Sequence, residues 1–310
     1  MSDHRISERL FASALRGTAS VFALLACSQM PTAAWAADSG TTDSDYHVSA
    51  FVGGQFTMNG GGKTAYGDPS LAPMPLVGIN QGHDGWGGLN LSTDGWIFGL
   101  SVTVGKAETS HAGFSYTSNS YPYHSGSGDV AHHETHAIVD FTVGQDVGLG
   151  MFGLEGSSVI SGGVEWANFS ATTVGSFSYA SKYYNTSFTR VIKRKFNGVG
   201  PVVSWNAATP IFEPHCNLTL DWGASVAVLF GSRKAYGTDV DFTDRSHGAT
   251  VPRTSAYLGI GWHPSGGVTE ISVGYAFNAA FGVLDGGYGL AHSVDRVTQG
   301  PYVNFNVPFQ

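Results

Sequence analysis

The sequence predicts an all-β protein: a transmembrane antiparallel up-and-down β-barrel of about ten strands, with eight or twelve as the alternative counts. Three observations predict it. Segments of alternating hydrophobicity recur along the chain, and a period of two marks strands whose faces differ chemically. Their connections alternate in length, which sorts long extracellular loops from short periplasmic turns. Charged residues are only 12% of the 310, glycines number 43, and no apolar run of about 18 residues follows the N-terminus, so no spanning helix is expected. A soluble β-sandwich shares the alternation but has no reason to sort its connections.

Taken in order, residues 1–36 read as a secretory signal. Arg5, Arg9 and Arg16 give positive charge, Val21 to Ala26 forms the apolar core, and Ala34-Trp35-Ala36 is a small-x-small site before Ala37. Leu24-Leu25-Ala26-Cys27 is a rival, lipobox-like site that would place a lipid on Cys27. With processing at Ala36, Cys216 is the one cysteine left, and no internal disulfide can form. The three arginines against Asp3 and Glu8 give the signal a net charge of +1, so its removal takes the chain from −8 to −9. An acidic surface argues against nucleic acid as a partner. Residues 37–45 make a short periplasmic segment, and 46–310 make the barrel.

Strand one is expected over Tyr46–Phe56, followed by a long Gly/Pro/Asn-rich segment, Thr57 to His83, long enough to fold inward as a plug. Strand two is Asp84–Ser92, and Thr93-Asp94-Gly95 is a tight turn. Strand three sets Trp96, Phe98, Leu100, Val102 and Val104 against Ile97, Gly99, Ser101 and Thr103. A polar loop runs from Lys106 to about Ala131. Strand four turns Ala137, Val139, Phe141 and Val143 outward, and Gly144 to Gly148 turns the chain. Strand five, Ser157–Ala171, is followed by a Ser/Tyr-rich loop to Phe188. Strand six, Thr189–Ala207, precedes a turn through Pro210 and Pro214. Strand seven, Leu218–Phe230, leads into a charged loop from Ser232 to Pro252. Strand eight carries Ala256, Leu258, Ile260 and Trp262, and Pro264 to Gly267 is a short turn. Strand nine carries Ile271, Val273, Tyr275 and Phe277; a Gly-rich loop spans Phe281 to Thr298.

The closing strand, Gly300 to Gln310, places Val303, Phe305, Val307 and Phe309 on one face and Tyr302, Asn304, Asn306 and Pro308 on the other. Strands ending in this way are read by the barrel-assembly machinery, which is therefore an expected partner. Trp96, Trp166, Trp222 and Trp262 fall near strand ends, where an aromatic girdle belongs.

Several short runs resemble the landmarks of one family. They are Val139-Asp140-Phe141-Thr142-Val143-Gly144, Gly162 to Phe169, Phe196-Asn197-Gly198-Val199-Gly200-Pro201, Gly274-Tyr275, Asp285-Gly286-Gly287 and Gly300-Pro301-Tyr302. They look like those of the porin-like group similar to the Legionella major outer membrane protein. The likeness covers most of the chain from strand four onward and departs at Glu165, where that family often has a basic residue. The resemblance implies an outer-membrane pore-former without catalytic residues.

Asp140, Glu165, Asp221 and Glu270 share the face opposite the apolar one, with Arg194 as a basic counterpart, and stand as candidate lumen-lining charges. Carboxylate rings favour cations, so the expected function is a narrow, weakly cation-preferring, porin-like channel for small solutes or ions. The alternative is a structural or adhesive surface barrel working through its Tyr/Ser-rich loops. Barrel enzymes exist, but His136 and Asp140 share a face with no nucleophilic serine beside them, so no enzyme and no cofactor is expected. His132-His133-Glu134-Thr135-His136 puts His132, Glu134 and His136 on one strand face. The spacing is not that of the helical zinc motif, so polar residues at the extracellular mouth are expected and no metal. Arg190, Lys193, Arg194 and Lys195 form a basic run suited to lipopolysaccharide phosphates or a charged rim. Outer-membrane lipid and lipopolysaccharide are thus expected partners, and a homo-oligomer is left open.

Overall fold

The computed structural model describes residues 46–61, 64–65, 76–77, 81–107, 110–118, 124–148, 156–181, 183, 185–211, 217–238, 243–264, 269–286 and 293–309. The signal segment, both processing sites, Cys216 and most of the expected plug segment lie outside the described residues. The strands are β1 (His47–Gly61), β2 (Thr64–Ala65), β3 (Leu76–Val77), β4 (Gln81–Thr93), β5 (Trp96–Ala107), β6 (Ser110–Ser118), β7 (His124–Asp146), β8 (Ser157–Ser181), β9 (Asn185–Ile211), β10 (Leu218–Gly237), β11 (Arg245–Trp262), β12 (Glu270–Asp285) and β13 (Ser293–Phe309).

Neighbouring strands of the main sheet pair antiparallel, β1 pairs with both β4 and β13, and β5 pairs with β7. The ring therefore closes with ten strands. β5 takes the lower part of β7, from Thr135 to Gln145, and β6 takes the upper part, from His124 to His132. β5 and β6 thus act as one long staff beside β7, and β2–β3 is a small separate hairpin. Closure removes the edges that would otherwise leave unpaired N–H and C=O groups.

The alternation sorts side chains as expected. Outward stand Leu89, Phe98, Leu100, Phe141, Ile160, Val164, Val199, Val203, Leu258, Ile260, Val273, Val303 and Phe305, all exposed. They form a continuous apolar belt. At its lower edge Trp96, Trp205, Trp222 and Trp262 gather near strand ends, with Trp205 and Trp222 in edge contact at 4.9 Å. Trp166 lies at the opposite edge of the belt rather than at a strand end, because β8 continues to Ser181. The turn Thr93–Trp96 has Asp94 at φ 48 and Gly95 at φ 78, the left-handed pair that a two-residue hairpin with native twist requires.

The long loops are where structure and expectation differ. Much of the polar sequence read as loop is strand: β7 begins at His124, β8 runs on to Ser181, β9 starts at Asn185, and β10 and β11 reach Gly237 and Arg245. β7, β8 and β9 are 23, 25 and 27 residues long, against the roughly 9–11 that cross a bilayer. The ladder thus continues well past the belt as a β-extension. Its outward residues, such as Ser170, Thr172 and Ser176, are polar, so hydrophobic alternation stops where the strand does not.

Inside the barrel a cluster of Ile138, Phe169, Phe196, Leu229, Val251 and Leu284 is buried above the middle. The lumen is therefore layered, polar below and above, apolar between.

The face assignment has a direct consequence at one neighbouring pair. Val226 is 58% exposed on the belt, whereas Ser225 points inward and shares a 2.6 Å hydrogen bond with Ser255. Val226→Arg should cost about 2–4 kcal/mol at mid-belt and reduce folded, heat-modifiable barrel in lipid vesicles far more than Ser225→Arg. Equal losses would refute the assigned faces.

Candidate functional site

The inward charges fall into three layers. The lowest holds Asp221 and Glu270. Both lean over the bare Cα of Gly261: a Cβ built there would meet Asp221 Oδ2, Glu270 Oε1 and Thr219 Oγ1 at once. Asn306 Nδ2 donates to Glu270 Oε2 at 3.4 Å, and His263 Nε2 stands 3.9 Å from Glu270 Oε1. Gly259 and Gly274 clear the wall in the same way for the ring of Tyr302. Small residues here create room for polar groups, not empty space.

The middle layer brings Asp140 and Glu165 directly opposite each other on β7 and β8. Two carboxylates so placed repel. Arg253 answers them: its Nη1 donates to Glu165 Oε2 at 2.6 Å and its Nη2 to Asn278 Oδ1 at 3.2 Å. Ser101 donates to Asp140 Oδ2 at 3.2 Å. Glu165 and Arg253 are 0% and 3% exposed at their side chains. Glu165 is therefore half of a buried ion pair, not a charge facing open water.

The upper layer is a chain of hydrogen bonds above the belt. Its anchor is Arg296, which pairs through two guanidinium nitrogens, Nε and Nη2, with the two carboxylate oxygens of Glu134. His132 Nε2 lies 2.7 Å from Glu134 Oε1, and His132 Nδ1 lies 2.8 Å from Thr173 Oγ1. Arg194 Nη1 donates to the same Thr173 oxygen at 2.8 Å. Thr173 accepts from Arg194, so its own hydrogen is available to His132 Nδ1, which leaves Nε2–H for Glu134. Arg245 Nη2 donates to Asp285 Oδ1 at 2.8 Å. Burial pushes the Arg194 guanidinium down to about 10, with Asp285 opposing the shift. Burial alone would raise Glu134, but Arg296 and His132 outweigh it and hold that carboxyl below its ordinary value.

Of the five candidate charges, Asp140, Glu165, Arg194 and Asp221 are buried on the inward face, and Glu270 is half-buried there. The structure brings Asp140 to Glu165 and Asp221 to Glu270, and sets Arg194 apart in the upper layer. The His132–Glu134 pair, expected at the mouth, is tucked into the lumen, and His136 Nε2 stands 3.7 Å from Asp84 Oδ1. Among the described residues no group of three or more His, Cys, Asp or Glu is arranged to hold a metal ion. Sequence reasoning misses Arg253 and Arg296 because they fall at or inside segments that read as loops. Parity carried from Ser255 and Tyr257 would have placed Arg253 inward. Two cavities of ≈ 60 Å³ each lie along the lumen. The upper touches Asp84, Glu134, Arg253 and Arg296, the lower touches Asp140 and Asn206, and Ser255 and Tyr257 line both.

Glu134 generates a pH prediction. Its folded-state value lies below the ordinary 4.5, so its contribution is complete above that value and is lost only as pH falls through the lower one. Arg296→Gln removes the strongest favourable partner and lets burial raise the Glu134 value, so it should lower stability near neutral pH and shrink the part of it that is lost on acidification. Thermal unfolding in detergent between about pH 3 and 7 reads this; an unchanged pH dependence would show that Arg296 does not set it.

No family model matches the chain, and no curated protein matches it. Among solved structures, the outer membrane protease OmpT from Escherichia coli is similar at TM-score 0.52 and 10% identity, over 88% of this chain and 99% of that one. The P. putida toluene transporter TodX aligns at TM-score 0.22 and 10% identity, over 87% and 91%. A Pseudomonas aeruginosa FadL homologue aligns at 0.19 and 12%, over 86% and 90%. At such identity the OmpT likeness establishes the barrel fold alone, and the two looser alignments carry no argument.

Proposed function

We propose that the protein is an outer-membrane barrel that conducts water and small cations through a narrow, side-chain-filled lumen. The apolar belt with its tryptophan edge supports the membrane placement. The resemblance to the porin-like group similar to the Legionella major outer membrane protein supports a pore. The observation that carries cation preference is the lower lumen, where, among the described residues, Asp140, Glu165, Asp221 and Glu270 face one arginine, Arg253. A negative excess in a low-dielectric tube concentrates cations. Cavities of ≈ 60 Å³ hold a few waters, which sets the scale of what passes.

A second reading has its own observation. Above the belt, Ser115, Thr117, Ser127, Tyr179, Asn185 and Thr186 line an open groove of ≈ 550 Å³ on the β-extension. A rigid hydroxyl-rich platform held clear of the membrane suits a surface-binding barrel.

Planar-bilayer recording decides between them. Verified folded protein should give small currents whose reversal potential under a KCl gradient favours K⁺ over Cl⁻. Asp221→Asn with Glu270→Gln should reduce that preference. Glu165→Gln should move it toward Cl⁻, because the buried Arg253 charge then loses its neutralising carboxylate, at a stability cost of about 3–5 kcal/mol. Anion preference would overturn the cation reading, and silence from folded protein would overturn the pore and leave the surface reading.

A further inference from the structure

The six arginines and four lysines among the described residues sort by face. Arg190, Arg194, Arg233, Arg245, Arg253 and Arg296 all occupy inward register positions. Lys106, Lys193, Lys195 and Lys234 all occupy outward positions and are exposed. Three of the lysines form one patch. Lys195 on β9 is the direct cross-strand partner of Lys234 on β10, and Lys193 follows two residues along. Like charges set directly opposite destabilise a sheet, and among the described residues no ion pair to any of the three is found. The exposed acid nearby, Asp244, accepts from the Gly237 amide at 3.2 Å. Flanking residues Ser170 and Thr172, opposite Lys195 and Lys193 on β8, add hydroxyls.

Height identifies the occupant. The belt ends at Val199 on β9 and Phe230 on β10, which are themselves paired. Lys195 and Lys234 each lie four residues beyond, roughly 13 Å along the strand and roughly 9 Å along the membrane normal at a tilt of about 45°. The headgroup layer adds about 5–8 Å on each side of the hydrocarbon, and a lysine stem can reach back toward it. Resting on the membrane placement proposed above, we propose that Lys193, Lys195 and Lys234 form a binding site for the phosphate groups of an anionic lipid in the leaflet facing the β-extension. The face sorting fits this chemistry. Arginine's planar fork suits the buried carboxylates of the lumen, and lysine's compact, hydrated charge on a flexible stem suits a mobile headgroup.

The test reconstitutes the full barrel in phosphatidylcholine nanodiscs and titrates in bis-phosphorylated lipid A, its dephosphorylated form, or inorganic phosphate. The wild-type barrel should bind the phosphorylated lipid and gain thermal stability from it, while the other two ligands do neither. Lys193→Gln, Lys195→Gln and Lys234→Gln together should weaken that binding at least about tenfold, the loss expected when three phosphate-facing charges go, and Lys106→Gln, on another part of the wall, should not. Equal binding by the triple variant, or equal binding of the dephosphorylated lipid, would overturn the site. Binding of inorganic phosphate without the lipid would overturn it in favour of a free anion. Failure of the wild type to insert into phosphatidylcholine would instead overturn the membrane placement, and the lipid site with it.

Discussion

Pairing between β1 and β13 is the constraint on which the rest depends. It runs from Val48–Phe309 up to Gly61–Arg296 and, with the β5–β7 pairing, closes the sheet into a ring across the belt. In hydrocarbon each unpaired backbone group costs several kcal/mol, so an open form of this sheet would not persist in a bilayer. Closure also fixes parity. Once the ring is shut, each residue is either inside or outside, and a one-residue slip in any pair would turn belt residues inward and lumen charges outward. The matched registers around the ring are therefore a single cooperative decision.

That decision explains how a chain so poor in charge concentrates its ionic chemistry. The lumen is not simply wet. Its middle layer holds a pair, Glu165–Arg253, with almost no exposure, and its upper layer strings Glu134, His132, Thr173 and Arg194 into one hydrogen-bonded line. Buried charges of this kind are costly unless every partner is present. Removing one member should then disturb its neighbours more than a count of pairs suggests, because each is oriented by the next.

Much of the fold was legible in the sequence, and the belt most of all. From Trp96 to Val104 and from Trp222 to Phe230, outward-facing and lumen-facing residues differ so strongly that alternation reads directly. The extension was not legible, because the contrast between its faces is weak: Thr172, Ser176 and Ser178 stand outward, while Thr173 and Gly175 interrupt the apolar row of the inward face. The same blindness hid Arg296. The inward parity of the five candidate charges was legible, but parity cannot name partners: Glu165 meets Arg253 across the lumen, 88 residues away in sequence, and no local pattern encodes that.

The basic run from Arg190 to Lys195 shows how parity redistributes chemistry. As sequence it is one cluster. As strand it is two, because Arg194 turns inward to Thr173 while Lys193 and Lys195 stay outside. The outward half is then completed by Lys234 from the neighbouring strand. Charge density on the outer wall is thus set by register, not by the run itself, and the same backbone step that gives the lumen a buried guanidinium gives the wall its lysines.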